Sequence, residues 1–375
     1  MVKRASAMEN MAVSKNFWSG KKVFITGHTG FKGSWLALWL QSLGAVVSGY
    51  ALAPVNSPNL YELTNVGKNM DSKFSDLGNL SALVNALQCF KPQIIFHMAA
   101  QALVRASYDS PIQTYQTNVM GTVHLLEAIR QCASVKVLVN VTSDKCYENR
   151  EQVWGYRETD PMGGFDPYSS SKGCAELVSA AYRNSFFSPN RYEEHGFAMA
   201  TCRAGNVIGG GDWSQDRLIP DLFRAFAAGV PAQIRNPSAI RPWQHVLEPL
   251  SGYLNLAQAL FLEGVRYGEP FNFGPNDHNN KPVSYIADYL VRLWGRNASW
   301  QACGSGHLHE AHYLKLDNSK AKSRLGWQPV MPLHKALELT VLWEKARDLE
   351  EDMRSITLKQ IQDYQLSQEN WTTNE

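Results

Sequence analysis

The chain of 375 residues has no excess of either charge sign: 36 Lys and Arg stand against 34 Asp and Glu, a net of +2. So close a balance leaves no electrostatic footprint for nucleic acid or an anionic membrane surface. No uninterrupted apolar run reaches the roughly 20 residues of a membrane span. The opening MVKRASAMENMAVSKN has Lys3 and Arg4 but no apolar stretch behind them, so it does not read as a secretory signal. A flexible tail over residues 1–16 is expected instead. The six cysteines (Cys89, Cys132, Cys146, Cys174, Cys202, Cys303) show neither CxxC nor metal-ligand spacing. No metal is expected, and buried free thiols in a reducing cytoplasm are. There is no internal repeat and no low-complexity tract. The length allows a large core and at most two or three domains.

What is present begins at Lys21–Gly33, KKVFITGHTGFKG. Val23-Phe24-Ile25 has the length and composition of a buried parallel strand. Gly27, Gly30 and Gly33 follow, then SWLALWLQSLG with Leu36, Leu40 and Leu43 at helical spacing. Strand, glycine turn and helix make the first unit of a dinucleotide-binding fold. Gly27 permits the turn, Gly30 the approach of a pyrophosphate, and Gly33 close packing of helix on strand. The spacing is GxxGxxG rather than GxGxxG, so the flanking strand and helix carry the reading.

Further strands are expected at 45–51, 73–75, 93–97, 136–142 and 198–203. Between Gly33 and Glu62 there is no Asp or Glu to hold the adenosine ribose and no Arg for a 2′-phosphate. The residues alone do not choose NAD over NADP. From local pattern Asp76 fits the start of the helix LSALVNALQCF. Ala99-Ala100-Gln101 follows the fourth strand, where small residues suit a flat cofactor. One helix is expected over 112–132, with Asn118 as a core amide or a support for the reactive site. Ser143-Asp144-Lys145 follows the fifth strand, at the end where open parallel sheets place ligands. Tyr168 and Lys172 are four apart and share a helical face. An ammonium beside a phenol favours the phenolate and would bring Tyr168 toward working range. As a bare YxxxK, the pair is also a common surface pattern.

GHTGFKGSW, VTSDKCYEN, YSSSK, RAGNVIGGGDW and RPWQHV together resemble the extended short-chain dehydrogenase/reductases. More narrowly they resemble the CDP-glucose 4,6-dehydratase branch, over roughly residues 17–343. The resemblance implies an α/β fold: a Rossmann-type doubly wound parallel sheet with a smaller mixed C-terminal substrate lobe. We expect the NAD-binding domain over 17–213 with 246–273 returning to it, and the lobe over 214–245 and 274–365, with one helical pattern from Leu333 to about Gln365. It implies NAD, contacted by Gly27, Thr29, Gly30, Phe31, Lys32, Gly33, Asp76, Leu77, Ala99, Ala100, Asn118, Tyr168 and Lys172.

It also implies CDP-D-glucose as substrate, in deoxysugar biosynthesis, through a closed hydride cycle: oxidation at C4, loss of water across C5 and C6, reduction at C6. Ser143 and Tyr168 serve the 4-hydroxyl, Lys145 is the base at C5, and Asp144 the acid for the departing 6-hydroxyl. Lys145 must lose its proton, which burial and a second cation such as Lys172 would favour. A structural ion pair between Asp144 and Lys145 is the other reading. Other dehydratases with Asp-Lys use UDP-sugars, so the pair leaves the nucleotide open. Substrate contacts are expected from Gln101, Ser143, Asn206, Arg217, Leu218, Arg241 and Asn272, with Trp243 and His245 beside Arg241 and Arg235 as a weaker phosphate candidate. A cytoplasmic homodimer or homotetramer, built through the helices from Ile112 and Tyr168, is expected.

Overall fold

A computed structural model describes residues 13–295, 297–303 and 312–372. Seven parallel strands form the central sheet: β1 (Lys22–Thr26), β2 (Val46–Ala51), β3 (Asp71–Phe74), β4 (Ile94–His97), β5 (Val137–Val141), β6 (Ala198–Ala204) and β7 (Phe271–Phe273). Their spatial order is β7-β6-β5-β4-β1-β2-β3. The chain runs outward from β1 to β3 and then returns to β4, so the order reverses between β1 and β4. A crevice opens at that reversal, beyond the carboxyl ends of the strands.

Period-two side chains divide the core. Val23, Ile25, Ile94, Phe96, Val137 and Val139 face one layer. Phe24, Ile95, Leu138 and Met199 face the other. Helix α1 (Phe31–Ser42) is apolar on nearly every side and is buried on nearly every side, with Trp35, Leu36, Leu38, Trp39 and Leu40 fully covered. Helix α2 (Leu80–Phe90) begins where the Asn79 side chain accepts from Ala82 N, so Asn79 rather than Asp76 is its cap.

The single helix expected over 112–132 is interrupted. Pro111–Tyr115 is α-helical, Gln116–Met120 is a π-helical turn, and α3 (Gly121–Arg130) resumes the α geometry. Helix α4 (Pro167–Ser185) starts where Asp166 accepts from Ser169 N at 2.9 Å and Pro167 fills a first-turn position that needs no N–H. Helix α5 (Leu247–Glu263) packs on the sheet core.

The irregular segments form a lobe with its own core, in which Leu222, Phe223, Trp243, Ile286 and Leu290 meet. The C-terminal helical pattern is two helices, not one: α6 (Leu333–Asp348) and α7 (Met353–Thr372). Helix α7 leaves the lobe and packs on the sheet core, where the Trp39 and Tyr364 rings meet at 5.7 Å. At the other end, order begins before residue 17. Ser14 caps the short helix Lys15–Trp18 and Trp18 is fully buried, while residues 1–12 of the expected tail lie outside the described residues.

Candidate active site

The glycine turn closes the amino end of α1. Gly27 has φ +77°, and a β-carbon there would lie 2.6 Å from Ala99 N at the end of β4. A β-carbon on Gly33 would overlap the Gly27 carbonyl oxygen, whereas one on Gly30 would meet only that oxygen, at 3.5 Å. Helix and strand are therefore in contact through Gly33, and the space beside Gly30 is open. Helix α1 has no side-chain cap and no acid in its first turn. Its unpaired N–H groups and Lys32 suit an anion. Thr29 ties the turn to β2 by donating to Leu52 O at 2.9 Å.

On the other side of the crevice, Thr26 Oγ1 accepts from Met98 N and Ala99 N and so gives its own proton to His97 Nδ1 at 2.7 Å. His97 Nε2 faces Thr122 at 3.3 Å. Burial pushes His97 down to about 3, which keeps the ring neutral for that chain of bonds. The sequence reading missed His97; its only signal was a polar residue ending an apolar strand.

Asn118 sits in the π turn. Its amide accepts from Gln101 N and donates to Gln101 O and Ser171 Oγ, at 2.8, 2.9 and 2.8 Å. It joins the loop after β4 to helix α4 between Tyr168 and Lys172. Gln101 turns its own side chain to Leu103 and Thr114. Asp76 is exposed and accepts from Gly78 N at 2.6 Å, and Leu77 is buried.

A cavity of about 570 Å³ lies between sheet and lobe. Of the residues expected to act, Phe31, Lys32, Ala100, Ser143, Asp144, Lys145, Tyr168, Lys172, Asn206, Arg217, Leu218 and Arg241 line it, and Arg235 and Trp243 do too. Ser143, Asp144, Tyr168 and Lys172 are all buried and Lys145 is half-buried. Ser143 Oγ donates to Asp144 Oδ1 at 3.1 Å, and Asp144 Oδ2 is buried without a partner. Burial raises the Asp144 carboxyl, against the pull of Lys145 and the other cations. Among the described residues no ion pair joins Asp144 to Lys145.

Burial pushes the Tyr168 phenol up to about 12, and Ser143 and Arg217 draw it partly back. Lys172 Nζ donates to Val141 O at 3.3 Å, and burial with Lys32 nearby brings it down to about 7.

Asn272 is a further correction. It is fully buried, accepts from Tyr147 OH at 2.7 Å, donates to Tyr156 O and Asp317 O, and lies outside the cavity wall. Both N–H donors of its amide are taken by protein carbonyls, and the side chain ties the floor together. His245 is buried against Trp35, also away from the cavity.

Beneath the site runs a network the sequence reading missed. Arg203 on β6 pairs with Glu176 through Nε at 2.8 Å and Nη2 at 2.9 Å. Glu176 also accepts from Thr142 and Thr201. Glu176 follows Lys172 by four residues, so its helical spacing was the available signal. Asp212 holds Arg217 at 2.9 Å.

A glycine turn at the reversal of strand order, with a polar end to β5 and Tyr168 and Lys172 on the next helix, defines an extended short-chain dehydrogenase/reductase. The chain belongs to the GDP-mannose 4,6 dehydratase family, whose model matches residues 24–260. It is 58% identical to the CDP-glucose 4,6-dehydratase of Salmonella typhimurium, over 94% of this chain and 98% of that one. It is 27% identical to a dTDP-glucose 4,6-dehydratase of Xanthomonas campestris, over 85% and 92%. Among solved structures, dTDP-glucose 4,6-dehydratase of Streptomyces venezuelae with NAD bound superposes with a TM-score of 0.75 at 20% identity, covering 88% of this chain and 98% of that one. At that identity the likeness is one of fold.

Proposed function

We propose that the chain is an NAD-dependent hydro-lyase that converts CDP-D-glucose to CDP-4-dehydro-6-deoxy-D-glucose and water. One observation carries the reading: Asp144-Lys145, Tyr168 and Lys172 converge on one cavity, next to a glycine turn with room for a pyrophosphate. The identity with the Salmonella enzyme supports CDP as the nucleotide. Gly27–Gly33 with Ala99 and Ala100 would hold NAD, which would supply a hydride acceptor at C4 and a donor at C6.

The side chains divide the remaining work. Tyr168 takes the 4-hydroxyl proton, with Ser143 beside it to orient the sugar. Lys172 positions the cofactor's ribose. The 4-ketone acidifies the C5 proton, which Lys145 removes while Asp144 gives its proton to the departing 6-hydroxyl, and a proton goes back to C5 when C6 is reduced. Asp144 suits that task because burial favours its neutral form. Arg217, fixed by Asp212, and Arg241 face the diphosphate. Asn206 and Leu218 flank the sugar and base. We place the protein in the cytoplasm as a homodimer or a pair of dimers. Exposed Ile112, Met120, Leu177 and Phe186 on adjacent helices supply the contact. The free thiols suit a reducing compartment.

Incubation with NAD and CDP-, UDP-, dTDP- or GDP-hexoses, with products identified by mass, tests the substrate. Loss of water from CDP-glucose alone is expected. Lys145→Ala should bind NAD as the parent does and lose at least a hundredfold in dehydration; undiminished turnover rejects its role.

A further inference from the structure

We infer that Pro242 is a positioning residue for the acid step: seated on Gly205, its ring walls the free oxygen of Asp144 off from water. The inference rests on reading Asp144 as the acid. Asp144 Oδ2 has neither partner nor exposure. A β-carbon placed on Gly205 would lie 3.1 Å from that oxygen and 3.2 Å from Pro242 Cβ, and would overlap Pro242 Cγ. Carboxyl oxygen and pyrrolidine ring thus both border the space that a side chain at 205 would fill.

The ring is held in place. Pro242 ends the strand Ile240–Pro242, pairs with Asn280, and is buried. The next residue, Trp243, is anchored by its Nε1 donating to Lys281 O at 2.9 Å. Proline has no N–H, so it covers the oxygen without offering it a donor.

Other groups face the carboxyl from every side. Lys145 adjoins it, Lys32 reaches it from α1, and Arg241 from the strand of Pro242 itself. Tyr168 of α4, Cys146 of the same turn and Tyr253 of α5 complete the set. The three cations favour the carboxylate, and dryness favours the acid. Removing the ring takes away part of the dryness and leaves the cations in control.

Pro242→Ala tests this with two readouts: titration of Asp144 followed by carbon NMR in protein labelled at aspartate, assigned with Asp144→Asn, and the pH profile of kcat. The Asp144 titration and the basic limb of kcat should both move about one unit toward acid, costing about tenfold at neutral pH. KM should hold, and activity should return at lower pH. A titration and limb that stay in place overturn the inference. Gly205→Ala should lose at least tenfold, and adding Pro242→Ala should recover part of it by vacating the space the methyl needs. Full activity in Gly205→Ala also overturns it. If Asp144→Asn dehydrates normally, the acid reading itself fails. If Asp144→Asn is inactive and Pro242→Ala unshifted, only the wall fails.

Discussion

Lys172 shows what a buried cation costs and why it is kept. Its ammonium lies under Val141 O, with Lys32 nearby, and it titrates near 7 instead of 10.5. A depressed lysine destabilises the fold while it must be charged, at pH 7 and below. The penalty fades as pH rises from 7 toward 10.5, where the unfolded chain gives up its proton too. Lys172→Met should therefore stabilise the protein by a few kcal/mol at pH 6, at about 1.4 kcal/mol per unit of depression. The gain should vanish near pH 10.5, and turnover should be lost throughout. Urea unfolding at the two pH values checks the sign; an equal gain at both would mean that packing, not charge, sets the effect. Asp144 is displaced in the opposite sense by the same burial. One dry pocket thus holds a reluctant cation and a reluctant anion side by side, as acid–base chemistry near neutrality needs.

At the level of elements, the glycine turn and the π turn had different visibility. The turn is local: strand, three glycines and helix lie within a few residues of one another, so its sequence suffices. Gly33→Ala should drive a methyl into the Gly27 carbonyl, separate α1 from β1, and abolish NAD binding by calorimetric titration, with a lower thermal midpoint. A variant that binds NAD as well as the parent would show that the contact yields. The π turn at Gln116–Met120 left no such trace. Apolar periodicity predicted a helix through it, and the extra residue in that turn accompanies the Asn118 bonds to the Gln101 backbone, seventeen residues away in sequence. The break between α6 and α7 was hidden in the same way, because apolar spacing persists across both helices while α7 turns back onto α1.

Across the whole molecule, sheet and lobe meet over the cavity, and the helical face carrying Ile112, Met120, Leu177 and Phe186 is left exposed on this chain. Light scattering should give the mass of two or four chains, and Leu177→Glu, which puts a charge in the middle of that face, should give one. A parent protein that scatters as a monomer would remove the proposed assembly.

The positions of the first six sheet strands along the chain, the cofactor turn, the placement of Ser143-Asp144-Lys145 beyond β5 and the Tyr168–Lys172 spacing could all be read from the chain, because each depends on neighbours within a turn or a strand. The roles of Asn272, of Glu176 with Arg203, of His97 and of Pro242 could not. Each is set by which buried partner lies opposite, and burial changes the chemistry of a side chain whose identity stays the same. Asn272 looks like a ligand contact until it is seen bonded to three protein groups and set outside the cavity wall. Tyr168 and Lys172 look like a surface pair until both are found buried in the cavity wall. Local pattern decided the fold and the cast of reacting groups, and only the tertiary packing decided which of them are wet, charged or already engaged, since desolvation is a property of the enclosing structure.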